Sequence, residues 1–146
     1  MSQESCEFCK IVRKQAPVSI VYEDNMFLAF LDFKPFTEGH PLVIPKKHYE
    51  AIYDITDREL AGLFMIVKKV AIMVKHAMSA DGISVVQNNG RAADQHIFHI
   101  HVHVIPRYVG QKLPKPEEVP MTSRERLDAI AKLIKKQLVI RPPLPK

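Results

Sequence analysis

Five short stretches and two long ones carry the hydrophobic pattern of this chain. "SIVYED" and "MFLAFLD" read as strands joined at the turn Glu23-Asp24-Asn25. "HPLVIP", residues 40–45, is a third strand, bounded by Gly39 and closed by Pro45. "GISVVQ" and "IFHIHVHVIP" are the fourth and fifth, separated by the polar loop "QNNGRAADQ". Between the third and fourth, "TDRELAGLFMIVKKVAIMVKHAMS" has helical spacing, with Leu60, Leu63, Phe64, Val67, Val70, Ala71 and Val74 as its apolar stripe. Thr56 and Glu59 stand at capping-box spacing at its start. "SRERLDAIAKLIKKQL" predicts a second helix capped by Ser123, and "RPPLPK" excludes regular structure because proline fixes φ and lacks a donor. Short strands in succession around one long helix predict an α+β domain on an antiparallel five-stranded sheet, with a C-terminal helix added.

The fifth strand is where this pattern turns chemical. His99, His101 and His103 alternate with Ile100 and Val102, and period two puts the three imidazoles on one face. Phe98, Ile100, Val102 and Val104 then point to the core. Three imidazoles in a row serve either as metal ligands or in nucleophilic catalysis, because a neutral imidazole is a competent nucleophile near pH 7. The amides and N–H groups of Asn88, Asn89, Gln95 and His96 just before the strand suit phosphate oxygens and favour the catalytic reading. His40 and His48 bring two further imidazoles.

Composition narrows the classes. A chain of 146 residues that is 47% apolar makes one domain with a real core. No apolar run reaches the roughly 20 residues that span a bilayer, and "MSQESCEFCK" lacks a signal-peptide core, so a cytoplasmic protein without membrane association is expected. Residues 1–111 hold 12 basic and 12 acidic side chains, and residues 112–146 hold 9 and 4, so the tail carries the whole net charge of +5. A basic tail attracts polyanions, but no basic stripe is interleaved with aromatics, so nucleic acid is not the expected partner. Cys6 and Cys9 are spaced C-x-x-C, which suits a metal; redox use is disfavoured because no βαβ pattern accompanies it.

The run His99-Ile100-His101-Val102-His103-Val104-Ile105 resembles the hallmark of the histidine triad (HIT) family. "CEFCKIV", "VYEDNMFLAFLD", "GHPLVIPKKH" and "QNNG" extend the resemblance to the Hint-like, bacterial and archaeal branch over roughly residues 6–108. It implies a HIT domain over 1–110. Residues 111–146 are then a proline-rich basic extension with a helix, in the same domain or appended to it. It implies a homodimer that takes purine nucleotides and cleaves nucleoside phosphoramidates or dinucleoside polyphosphates through a covalent nucleotidyl-histidine. By the same resemblance His101 is the nucleophile, His103 touches the phosphate, and His40 and His99 complete the catalytic set. Asp32 would hold the ribose, Phe8, Ile11, Phe30 and Phe33 the base, and Asn88, Gln95 and His96 the phosphate or leaving group. Relatives with this C-x-x-C hold a structural zinc, which maps to Cys6, Cys9, His48 and His99; no catalytic cofactor is required. Two positions depart from the family pattern: Asp94 replaces a glycine, and His96 replaces Ser, Thr or Glu. A nucleotide-binding regulatory module and a metallohydrolase using the three triad histidines are the competing classes.

Overall fold

The computed structural model describes residues 2–140; "RPPLPK" lies outside them. The strands β1 (Ile20–Glu23), β2 (Phe27–Leu31), β3 (Pro41–Pro45), β4 (Gly82–Val86) and β5 (Val102–Arg107) form one antiparallel sheet in the order β1-β2-β3-β5-β4. Helices α1 (Glu7–Val12), α2 (Asp57–Ala77) and α3 (Arg124–Ile140) complete the fold. Asp24 shapes the first turn, its carboxylate accepting from the N–H groups of Met26 and Phe27.

Both faces of the sheet are covered at β2 and β3, and the alternation along these strands divides their residues between two clusters. Phe27, Ala29, Leu31, Val43, Val102 and Val104 face α2 and α3. Leu28, Phe30, Leu42 and Ile44 face the other way, under α1. This explains why β2 and β3 are buried at every position and read as continuous apolar runs. On α3, Leu127, Ile130, Ala131 and Ile134 join the first cluster, so this helix packs into the same core as α2. Among the described residues no helix is long and apolar enough to cross a membrane.

Local details differ from the expectations above. The buried stripe of α2 is Leu63, Ile66, Val67, Val70, Met73 and Val74, while Phe64 is 40% exposed. The helix meets β3, β5 and α3 together, and this wider contact takes in Ile66 and Met73. Its cap is half a capping box. Thr56 Oγ1 accepts from the Glu59 N–H, but the Glu59 carboxylate takes the hydroxyls of Tyr49 and Thr56 and not the Thr56 backbone N–H. Ser123 caps α3 through the Arg126 N–H at 3.2 Å. The short helix α1 was not expected. Its signal is a cysteine cap: the Cys6 thiol accepts from the Cys9 N–H, with Phe8 and Ile11 on one side.

The fifth strand is also shorter than its pattern. It begins at Val102, and residues 97–99 form a bend. Only Leu42 and Val43 of β3 pair with it, opposite His103 and Val102. Beyond them the Ile100 N–H bonds the Tyr49 carbonyl at 2.7 Å, past the end of β3. Phe98 therefore leaves the core and lies half-buried under the Arg91 guanidinium.

Candidate functional site

The face of the sheet beneath α1 carries the histidines. Leu42 of β3 and Val86 of β4 flank His103 of β5, and His40 stands two residues ahead of Leu42. Gly39 delivers His40 with φ +85°, and a Cβ there would stand 2.6 Å from the Met78 side chain, so glycine is required twice over. The Asp32 N–H bonds the His40 carbonyl and ties the end of β2 to the start of β3.

Hydrogen bonds fix the proton on each ring. The Phe36 N–H donates to Nδ1 of His40 at 3.2 Å, so the proton of His40 sits on Nε2. That nitrogen lies 3.0 Å from Nδ1 of His103 and donates to it, which leaves His103 with its proton on Nε2, free to donate outward. His101 is set the opposite way. Its Nδ1 is 2.8 Å from the His99 carbonyl, so Nδ1 carries the proton and Nε2 presents a lone pair. The rings of His101 and His103 are 5.1 Å apart, and Phe8 stands edge-on to His101 at 5.2 Å. Burial holds these imidazoles neutral: His40 falls to about 3 and His103 to about 4, each with a neighbouring histidine adding to the effect. Burial lowers His101 too, opposed by its bond to the His99 carbonyl. One donor and one lone pair, side by side on a dry face, form an acid–base and nucleophile arrangement.

Asp32 stands with His40 and His103, their ligand atoms all within 4.8 Å of one another. Burial raises its carboxyl to about 6, against the pull of the Lys34 N–H on Oδ1. This trio is a poor metal site. The Phe36 N–H commits His40 to an Nε2 proton, and that proton occupies Nδ1 of His103. The three triad histidines do not converge either, since His99 turns away to another cluster.

The other expected contacts divide. Phe33 is 49% exposed, and Ile11 edges a groove of about 400 Å³ with Val18 and Ile20. Phe8 and Phe30 are 6% and 3% exposed and pack against each other, and Phe8 stands edge-on to His99 and His101. Asn88, two residues beyond Val86, is half-buried, and among the described residues its side chain has no hydrogen-bond partner. Gln95 is 1% exposed and fully engaged: its oxygen accepts from the Gly90 N–H, and its nitrogen donates to the carbonyls of Glu50 and Ile97. It locks the loop and has no donor left for a phosphate. His96 is exposed beside it. Asp94 explains the family glycine at its position: its φ is +64°, in the left-handed region, and its side chain faces solvent. Phe36 was missed from the sequence, because it acts through its backbone.

A second cluster lies on the far side of His99. The ligand atoms of Cys6, Cys9, His48 and His99 lie within 4.8 Å of one another. Nδ1 of His99 is 3.5 Å from Cys6 Sγ, 3.6 Å from Cys9 Sγ and 3.3 Å from Nδ1 of His48, which is 3.3 Å from Cys9 Sγ. A tetrahedral ion with thiolates at about 2.3 Å and imidazoles at about 2.0–2.1 Å sets S···N edges near 3.5 Å and N···N edges near 3.3 Å. The four side chains thus already stand at the corners of such a site. His99 donates from Nε2 to the Pro45 carbonyl at 2.8 Å, so Nδ1 is the free ligand nitrogen. Burial lowers His99 to about 4 and raises the Cys9 thiol to about 11, so a metal must displace the thiol proton. Among the described residues Nε2 of His48 is buried without a hydrogen-bond partner.

A five-stranded antiparallel sheet presenting a nucleophile-ready histidine beside a histidine donor defines the histidine triad class. The HIT domain model matches residues 13–110, and the chain belongs to the HIT family. It is 48% identical over 105 residues to a HIT-like protein of Methanocaldococcus jannaschii, covering 72% of this chain and 81% of that one. It is 42% identical over 103 residues to the adenosine 5'-monophosphoramidase hnt1 of Schizosaccharomyces pombe, covering 70% and 74%. Its fold matches the crystal structure of a Zn-bound histidine triad family protein from Mycobacterium smegmatis with TM-score 0.83 and 37% identity, over 94% of this chain and 96% of that one.

Proposed function

We propose that this protein is a nucleotide-binding hydrolase that cleaves purine nucleoside phosphoramidates through a nucleotidyl-histidine on His101. The observation that carries the reading is the 2.8 Å bond from Nδ1 of His101 to the His99 carbonyl, which leaves Nε2 as a neutral nucleophile. That nitrogen attacks the α-phosphorus, a P–N bond forms to His101, and the bond to the leaving amine breaks as the amine takes a proton from solvent. Water then displaces His101 and releases the nucleoside monophosphate. Nε2–H of His103 donates to a phosphoryl oxygen, where charge builds up in the transition state. Asp32 accepts from the ribose hydroxyls, Phe33 and Ile11 bound the base, and Asn88 and His96 lie on the phosphate and leaving-group side. The relative in Schizosaccharomyces pombe, named for phosphoramidase activity, supports this substrate class.

The Cys6, Cys9, His48 and His99 cluster we read as a structural zinc site: two thiolates with two imidazoles form a closed tetrahedral set without an open position. Zinc bound there would anchor α1, and with it Phe8, against the His101 ring. A homodimer in the cytoplasm completes the reading; β4 at the sheet edge, with Val85 46% exposed, supports pairing between copies.

Incubation with a nucleoside 5'-phosphoramidate, followed by acid quenching and peptide mass spectrometry, tests the chemistry. A nucleotidyl adduct on His101 is expected. Hydrolysis that persists at the wild-type rate in His101→Ala sinks the covalent mechanism.

A further inference from the structure

The loop from Phe33 to Gly39 carries the Phe36 N–H that sets the His40 proton, and the Phe36 ring stacks on His40 at 5.7 Å. What holds this loop lies partly outside the family domain, which ends at residue 110. Thr37 Oγ1 donates to the Pro106 carbonyl at 2.8 Å from within it. The Thr122 N–H donates to the Phe33 carbonyl at 2.8 Å from beyond it. Arg126, also beyond it, donates from Nε and Nη2 to the two carboxylate oxygens of Glu38, at 2.8 and 2.6 Å. A cavity of about 210 Å³ lies between the loop and Leu127 and Ile130 of α3. On this side, therefore, bonds hold the loop where packing does not fill the space. Glu38 is two residues from both Phe36 and His40, so the position of its carboxylate bears directly on the Phe36 N–H.

We propose that Arg126 is a positioning residue for the reaction: its paired bonds to Glu38 hold the Phe33–Gly39 loop so that Phe36 keeps His40 in the tautomer that aims the His103 donor at the phosphate. The C-terminal helix is then a working part of the catalytic relay. The activity arm of the test rests on the phosphoramidase reading, and the spectroscopic arm does not.

The experiment compares the full chain with Arg126→Gln, Glu38→Gln, Arg126→Lys and the exchange pair Glu38→Arg with Arg126→Glu. Both partners are about half exposed, and exposed ion pairs limit the effect to about fivefold. Each Gln variant is expected to lower kcat by about three- to fivefold with KM unchanged, Arg126→Lys by less, and the exchange pair to recover most of the loss. Ring 15N spectra of the Gln variants should show the Nε2–H form of His40 losing population. High salt should lower kcat of the wild type and leave the Gln variants unmoved, because it screens the same pair. Gln variants with unchanged kcat and an unchanged His40 spectrum overturn the proposal, whatever their melting temperature. So does a loss that the exchange pair fails to recover, since that marks a merely structural role. A wild type without phosphoramidase activity removes the functional reading alone; the His40 spectra still decide the positioning.

Discussion

Removing the His40 side chain breaks the relay at its centre. In His40→Ala, Nδ1 of His103 loses its donor at 3.0 Å and the Phe36 N–H loses its acceptor at 3.2 Å. Once nothing donates to Nδ1, His103 is free to carry its proton there and present a lone pair, not a donor, to the phosphate. Loss of one such donor costs about 10²–10³ in kcat. His40 is completely buried, so the stranded Phe36 N–H adds about 1–3 kcal/mol of destabilisation, besides the void left by the ring. Steady-state kinetics on a phosphoramidate and a denaturant melt read the two effects separately. The expected result is kcat down at least a hundredfold with KM little changed. His40→Asn, whose amide can both accept and donate, should fall between wild type and His40→Ala. A His40→Ala enzyme whose kcat stays within threefold of wild type would refute the tautomer argument.

Three further outcomes are expected. The purified protein should contain one zinc per chain by elemental analysis, and Cys6→Ser with Cys9→Ser should lose both the metal and about 3–4 kcal/mol of stability, the linkage expected for metal a hundred- to a thousandfold above its Kd; zinc retained by the double variant contradicts the site. With Asp32 raised to about 6, its carboxylate is half protonated at that pH, so KM should be flat from about pH 7 upward and climb as the pH falls through 6, toward a value ten- to a hundredfold higher. Asp32→Asn should have a high KM that does not change with pH, and a wild-type KM flat down to pH 5 contradicts the assignment. Asp94→Gly should raise stability by about 0.5–1 kcal/mol in a urea melt and leave kcat unchanged, because glycine relieves φ +64° at an exposed position; a destabilised variant shows that the Asp94 side chain has a role of its own.

Much of this molecule is legible in the order of its residues. The five strands and two of the three helices follow from apolar periodicity, because burying one face of an element needs only residues two, or three and four, apart. The histidine run and the C-x-x-C pair identify the chemistry, because few other roles require those side chains at that spacing. The short helix α1 is not legible, since six residues give too little pattern, and a cysteine is an uncommon cap.

Only the tertiary structure separates the histidines from one another. By alternation His99, His101 and His103 are equivalent, one face of one strand. In the fold the ladder stops at Val102, and a bend swings His99 to the cysteines while its carbonyl stays behind to set His101. Gln95 has the look of a phosphate ligand in the sequence, and three backbone partners claim it, Gly90 and Ile97 of its own loop and Glu50 from a distant segment. His40 and His103 are 63 residues apart, and their relay begins at a backbone N–H that any residue but proline would supply. The order of residues announces the five strands, the two longer helices and the side chains that carry the chemistry. The role of each imidazole was decided by where its two nitrogens find a donor or an acceptor, and those partners meet only when the chain is folded.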